Sequence, residues 1–279
     1  MVSFLTRLSD GWDRAMRAPL LALVPIAFAV MNTEKIRRVA TFDGAHVGMT
    51  FGYPMPVVTT WQFVSVPNTG VNAYTGVPIE ALPFALLTVP LVVLAQTLLT
   101  AGYFGSLRDV LTGSSPTFWR HCRAYFLPFL LLTVAPLLVL LPIGLGMVGS
   151  VAAGSGAGAA ALFLVLVPVY LLLGYLFWAT PYLVVLRDSG LLEAARASYD
   201  LAMDVGPYAR YTGGYVLFVA GLSVVATALV VNVPIVGLVA GILGGGLLGV
   251  TVNVATMRFV AEIDPETNLG VDRDTDDLS

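Results

Sequence analysis

Charge is scarce in this chain. Only 11% of its 279 residues are charged and 57% are hydrophobic, whereas soluble globular domains carry about 25% charge and about 45–50% apolar residues. No segment pairs an apolar core with a charged surface, which argues against a soluble enzyme or binding domain. Lysine is almost absent: Lys35 stands against thirteen arginines. One cysteine, Cys122, excludes an intramolecular disulfide and reads as a free thiol. The net charge of −3 leaves no nucleic-acid footprint. No HExxH, GxSxG or phosphate-cradling glycine loop occurs, and the membrane segments hold no ionisable group except tyrosine. Proton-coupled transport would lack its usual carboxylates. No catalytic, cofactor-binding or metal-binding residue is therefore assigned, and the expected protein is not an enzyme.

What is present is long uncharged sequence. Runs free of charge cover 18–33, 44–79, 81–107, 124–186 and 211–257, and a spanning helix needs about 20 apolar residues. The run at 124–186 holds two helices around Gly149, Ser150, Gly154, Ser155, Gly156 and Gly158, residues that interrupt a helix through backbone entropy. The run at 211–257 is divided in the same way at Asn232-Val233-Pro234. The fold class read from this pattern is all-α: a transmembrane bundle of about six helices near 18–33, 81–107, 124–148, 159–186, 211–231 and 234–257. These helices form one domain over 1–261. An outer loop covers 34–79, and an acidic tail covers 262–279, where seven acids face one base and no apolar surface can be buried.

Within the outer loop, Val47, Met49, Phe51 and Tyr53 alternate with small or polar residues, and Val57–Val66 follows Pro54-Met55-Pro56. The period of two predicts a small β-hairpin on the membrane surface; a re-entrant or irregular loop is the alternative. Ala27-Phe28-Ala29 has the form of a signal-peptidase site, but the long preceding region with Asp10 and Asp13 favours a retained first helix.

Eleven arginines lie before the first helix, between helices two and three, between four and five, or after six, while only Lys35, Arg37 and Arg38 fall on the other side. The positive-inside rule then places both termini in the cytoplasm of a multi-pass protein of the cell membrane.

A weak repeat is also visible. Tyr103-x-x-x-Leu107-Arg108-Asp109 recurs as Tyr182-x-x-x-Leu186-Arg187-Asp188, each copy followed by a short amphipathic segment and an outward helix. After the second copy, Leu192, Ala195, Tyr199 and Met203 are predicted to line the apolar face of an inner interfacial helix, and Glu193, Arg196 and Asp200 its polar face. Gly237, Gly241, Gly245 and Gly249, continued by Asn253, fall at steps of four and predict a close-packing stripe on the last helix, against this chain or a second protomer.

This order, a helix exit, a basic-acidic link, the segment Leu192-Glu193-Ala194-Ala195-Arg196-Ala197-Ser198 and then glycine-rich helices, resembles uncharacterised six-helix membrane families of archaea and bacteria. Some of those domains are fused to glycerophosphodiester phosphodiesterases. The resemblance spans about 80–260 and implies the fold; no phosphodiesterase domain is present. The acidic tail and lack of lysine resemble proteins of halophilic archaea. Glu193-Ala194-Ala195 also resembles the motif by which importer permeases meet their ATPase, but Tyr199 and Asp200 stand where that motif expects glycine. Gly144-Leu145-Gly146-Met147-Val148-Gly149 matches GxGxxG without the flanking strand that a dinucleotide site needs. His121 beside Cys122 reads as interfacial packing, since adjacent side chains on a helix diverge. The expected function is a non-catalytic membrane component, lipid-interacting or an accessory subunit; a transporter or permease subunit is the alternative. Membrane lipids are the expected partners, and a protein partner or homo-oligomer is open.

Overall fold

The computed structural model describes residues 3–67, 82–136, 138, 156–233 and 235–267, and among them every regular element is helical. The chain begins with α1 (Phe4–Ala15) and a 3₁₀ turn at Pro19–Ala22, then α2 (Leu23–Met31) and α3 (Thr33–Ala40). After an irregular stretch come α4 (Leu82–Leu111), α5 (Phe118–Ala124) and the short apolar α6 (Phe126–Pro136). The rest is α7 (Gly156–Phe177), α8 (Thr180–Leu186), α9 (Leu191–Met203), α10 (Gly206–Asn232) and α11 (Val236–Ile263).

Four helical stretches among the described residues are long and apolar enough to cross a membrane: 88–111, 163–186, 206–232 and 236–263. A fifth is possible if α1 and α2 count as one broken span, but they meet at 107°. The bend falls ahead of the run read as a helix at 18–33, which is helical over Pro19–Met31 as a 3₁₀ turn leading directly into α2. Pro19 starts it, and Asn32 ends it by capping α3, its side chain accepting from the Lys35 N–H at 3.3 Å. The second half of the helix expected at 124–148, the glycine-rich turn at 149–155, the GxGxxG match and residues 68–79 lie outside the described residues.

α11 is the hub, packing against α1, α2, α4, α8 and α10. α1 crosses its charged end, with Gly11 seated on the Thr251 carbonyl and Ala255. Arg7 pairs with Glu262 and Arg258 with Asp10, while Arg14 donates to the Leu111 carbonyl of α4 at 3.2 Å. Arg187, just past α8, binds Asp264 and Glu266 at 2.5 Å each. The arginines separated in sequence thus meet at one end of the bundle.

The span formed by α7 and α8 is broken at Trp178-Ala179, ahead of Pro181, which supplies no N–H to the helical ladder. Carbonyls at the break find side chains: Tyr208 Oη donates to Tyr175 O at 3.0 Å and Ser198 Oγ to Leu176 O at 2.8 Å. Backbone polar groups at membrane depth need such partners because lipid supplies none.

The expected β-hairpin is absent. Residues 44–67 contain no strand among the described residues, only a 3₁₀ turn at Thr60–Gln62. The chain instead dips between α10 and α11 and returns. Side chains accept its backbone N–H groups along the way: His46 to Asn232 (2.8 Å), Thr50 to Ser223 (3.0 Å), Val58 to Asn253 (3.1 Å) and, returning, Ser65 to Thr227 (2.8 Å). Asn253 lies seventeen residues beyond Val236, so at 1.5 Å per residue the tip sits about 26 Å from that end of α11. The outer loop begins later than expected, since 33–40 is helical. The tail also begins later: Glu262 belongs to α11 and Asp264 is fully buried, while 268–279 lie outside the described residues.

Candidate functional site

Asn253 has no solvent exposure and its amide is fully used. Its Oδ1 accepts from the Val58 N–H and from Tyr103 Oη, both at 3.1 Å. Its Nδ2 donates to Tyr182 Oη at 2.7 Å and to the Pro56 and Met55 carbonyls at 3.1 and 3.2 Å. Both lone pairs and both hydrogens are occupied. The two tyrosines are the matching positions of the sequence repeat, one on α4 and one on α8, and one asparagine receives both. The repeat therefore has a physical counterpart: two equivalent helix exits converge on α11.

The glycine stripe packs within the chain. A β-carbon on Gly241 would strike Val230 of α10, and one on Gly237 would strike the Leu229 carbonyl. Further along, a β-carbon on Gly245 would lie 2.5 Å from Thr60 Cβ, and one on Gly249 would strike the Val58 carbonyl. Half of the stripe thus faces a helix and half faces the inserted segment. Beside it, α10 and α11 bound an apolar groove of about 410 Å³ whose floor includes Gly241 and Gly245.

α9 divides into three faces where the sequence suggested two. Ala194, Ala197, Ser198 and Ala202 are buried, packed toward α7 and α8. Leu192, Tyr199 and Met203 are exposed, beside the less exposed Ala195. Glu193, Arg196 and Asp200 form the third face and line an open polar recess of about 640 Å³ that also touches Arg187 and Glu266. The apolar positions named from the sequence for the membrane interface are exposed, and the small residues between them make the contact with the bundle because they let helix axes approach. Asp264 anchors the recess. Burial alone would raise its carboxyl pKa, but hydrogen bonds from Arg187 and Thr267 hold it below the ordinary carboxylate value.

His121 is buried and joins α5 to α4. Its Nε2 lies 2.8 Å from Asp109 Oδ2, which also accepts from the Thr117 N–H at 2.9 Å and from Thr117 Oγ1 at 3.1 Å. The Thr117 hydroxyl and Asp109 approach the same ring nitrogen, so no relay runs through the imidazole to a nucleophile. Cys122 beside it is buried, its thiol donating to the Leu98 carbonyl at 3.2 Å. Gly102 and Gly105 permit this contact, because β-carbons there would overlap Cys122 and His121. Among the described residues, no group of three or more His, Cys, Asp or Glu is arranged to hold a metal ion.

The structure gives the alternative for 44–67, an irregular re-entering loop, in place of the expected β-hairpin, and sequence reading missed the residues that receive it. The usable signal was the recurrence of Ser223, Thr227 and Asn232 at steps of four and five in an otherwise apolar helix. Comparison with protein-family models, curated proteins and solved structures gives no match for this chain.

Proposed function

We infer that this multi-pass membrane protein is a non-catalytic component of the cell membrane that works through its contacts with lipid, as a lipid-interacting protein or an accessory subunit. The observation that carries this reading is the partition of α9. One face is packed on the bundle, one presents Leu192, Tyr199 and Met203, and one presents Glu193, Arg196 and Asp200. A helix of that form lies in the membrane interface with its apolar face among the headgroups. The gathering of Arg7, Arg14, Arg187 and Arg258 at the same end supports a cytoplasmic location for both termini. A six-span scheme requires the α1–α2 pair and the segment opened by α6 to cross as well. Kinship with the six-helix families of archaea and bacteria is part of the same proposal.

A transporter or permease subunit is the second reading, favoured by the inserted segment. Non-helical backbone at membrane depth occurs where it is buried in protein or lines a cavity, as in the broken helices of transporters. In that case Glu193, Arg196 and Asp200 would dock a cytoplasmic ATPase.

Comparing Tyr199→Asp with Glu193→Arg separates the two. On the lipid-interface reading, Tyr199→Asp lowers the yield of folded protein from membranes and Glu193→Arg leaves both yield and copurifying proteins unchanged. Loss of a copurifying ATPase with Glu193→Arg at normal yield would establish the permease reading instead.

A further inference from the structure

At the end of the bundle opposite the arginine cluster, a cleft of about 460 Å³ lies between α2, the start of α3, the inserted segment and α4. Its character changes with depth. Lys35, the chain's only lysine, is half-buried at the α3 end, with Nζ 5.9 Å from the centre of the Trp61 ring. That ring is fixed in turn, its Nε1–H donating to the Ala29 carbonyl at 2.9 Å. Gln96 projects from α4 eight residues inside the span that starts at Thr88, about 12 Å along the axis. Phe28, Met31 and Met55 supply apolar wall.

Three observations converge on this cleft. First, Lys35 has no acidic partner among the described residues. The adjacent Glu34 is engaged elsewhere, accepting from Arg37 at 2.9 and 3.1 Å and from Arg38 at 2.8 Å. Burial lowers the Lys35 pKa, the signature of a cation partly stripped of water without a compensating charge. Second, the Gln96 side chain meets no hydrogen-bond partner among the described residues, although polar groups at membrane depth ordinarily find one. Third, Lys35, Arg37 and Arg38 are the three cations that oppose the charge asymmetry of the rest of the chain. Glu34 accounts for Arg37 and Arg38, and Lys35 is the cation among the three that an anionic ligand would account for.

We propose that this cleft binds an anionic amphiphile, its phosphate headgroup paired with Lys35 beside Trp61, its ester region reaching the Gln96 amide and its acyl chain lying along Phe28, Met31 and Met55. The assignment rests on the lipid-interacting reading above and gives it a site and a ligand class. A free phosphate offers the same charge to Lys35, but only a lipid also uses the apolar wall.

The test uses the full chain in mild detergent, with thermal unfolding followed as short-chain phosphatidylglycerol, short-chain phosphatidylcholine or inorganic phosphate is added. Phosphatidylglycerol is expected to stabilise the protein more than phosphatidylcholine, with inorganic phosphate inert at matched ionic strength. Lys35→Gln should raise the half-saturating phosphatidylglycerol concentration about tenfold, equivalent to about 1.4 kcal/mol. Lys35→Arg should retain most of the affinity, and Arg37→Gln, at an exposed position (67%), should change it by no more than about twofold. Without lipid, Lys35→Gln should unfold at about the same temperature as the parent, because relief from burying a charge with no acidic partner offsets the lost contact with the Trp61 ring. Unchanged phosphatidylglycerol binding in Lys35→Gln overturns the site while the lipid-interacting reading stands. A parent protein that does not distinguish the two lipids overturns both. Stabilisation by inorganic phosphate equal to that by phosphatidylglycerol overturns the lipid as ligand.

Discussion

Replacing Asn253 with alanine tests whether the inserted segment is held by that one side chain. The substitution removes the acceptor for the Val58 N–H and the donor to the Pro56 carbonyl, and neither group has another hydrogen-bond partner among the described residues. The Met55 carbonyl keeps a long bond from Tyr182 Oη at 3.4 Å, while the Tyr103 and Tyr182 hydroxyls both lose the amide they shared. The buried Val58 N–H is therefore left unsatisfied at about 1–3 kcal/mol, and the part-buried Pro56 carbonyl adds at most as much again, giving a cost of about 1–6 kcal/mol. Side-chain bonds between membrane helices average only about 0.6 kcal/mol, because a helix released into lipid keeps its own backbone bonds. The segment at 55–58 is not helical and has no such fallback, so the larger figure applies. Thr97→Val is the control: Thr97 is fully buried, but its hydroxyl donates to Val93 O of its own helix, and about 1 kcal/mol or less is expected. Thermal unfolding in detergent reads the stability. A Val58→Cys probe in a Cys122→Ser background reads the segment itself, since Val58 is 1% exposed and should react with maleimide only when Asn253 is gone. Equal losses for Asn253→Ala and Thr97→Val, with Val58→Cys still unreactive, would refute the argument.

Gly249→Ala should destabilise the protein clearly, because its methyl meets the Val58 backbone carbonyl, which cannot rotate away; Gly244→Ala, with nothing within 4 Å, should be neutral or stabilising by up to about 1 kcal/mol. The pH dependence near Arg187 has a definite sign. The folded carboxyl pKa of Asp264 lies below its unfolded value, so its contribution is complete above about 3.9 and is lost as pH falls below that value toward the folded pKa; unfolding scans below pH 5 should show a shallower acid-side decline in Asp264→Asn. A Cys122 thiol buried against Leu98 reports nothing about orientation whichever side it faces. The informative probes in a Cys122→Ser background are Arg37→Cys and Trp119→Cys, both exposed. An impermeant maleimide applied to intact cells should label the first and spare the second, and the opposite result would invert the topology.

The long helices were legible because a run of about 20 or more apolar residues that is both uncharged and free of dense Gly, Pro and Asn punctuation has few alternatives in a membrane protein. α4, α10 and α11 accordingly start close to where the charge pattern places them, and α7 with α8 fills its expected stretch. The break at Trp178 was hidden, since Pro181 also sits comfortably inside an apolar run. α3 was legible and overlooked: Asn32 is a capping residue, and Glu34 three and four residues before Arg37 and Arg38 is a helical pairing pattern. At 44–67 the β-hairpin was preferred to the irregular loop that is found, and for a physical reason. Alternation at Val47, Met49, Phe51 and Tyr53 describes any extended backbone with two unlike sides, and it cannot tell whether the N–H groups meet another strand or a row of Ser, Thr and Asn side chains on a helix. The Gly and Asn residues of α11 were identifiable by spacing, but their partner, Val58–Thr60, is distant in sequence. On α9 the hydrophobic residues drew attention and the alanines did the packing, because close approach depends on small size.

The bond from the Val58 N–H to Asn253 joins residues 195 positions apart, and that separation sets an order of events during synthesis. At about 5–20 residues per second, the ribosome delivers Asn253 about 10–40 s after Val58. The side chains outside the segment that receive its other backbone N–H groups, Ser223, Thr227 and Asn232, lie on α10, itself made late. Throughout that interval the stretch from His46 to Ser65 has no native place inside the bilayer and has to wait at its surface. It is the last piece of the bundle to be seated, although it is among the first to be translated.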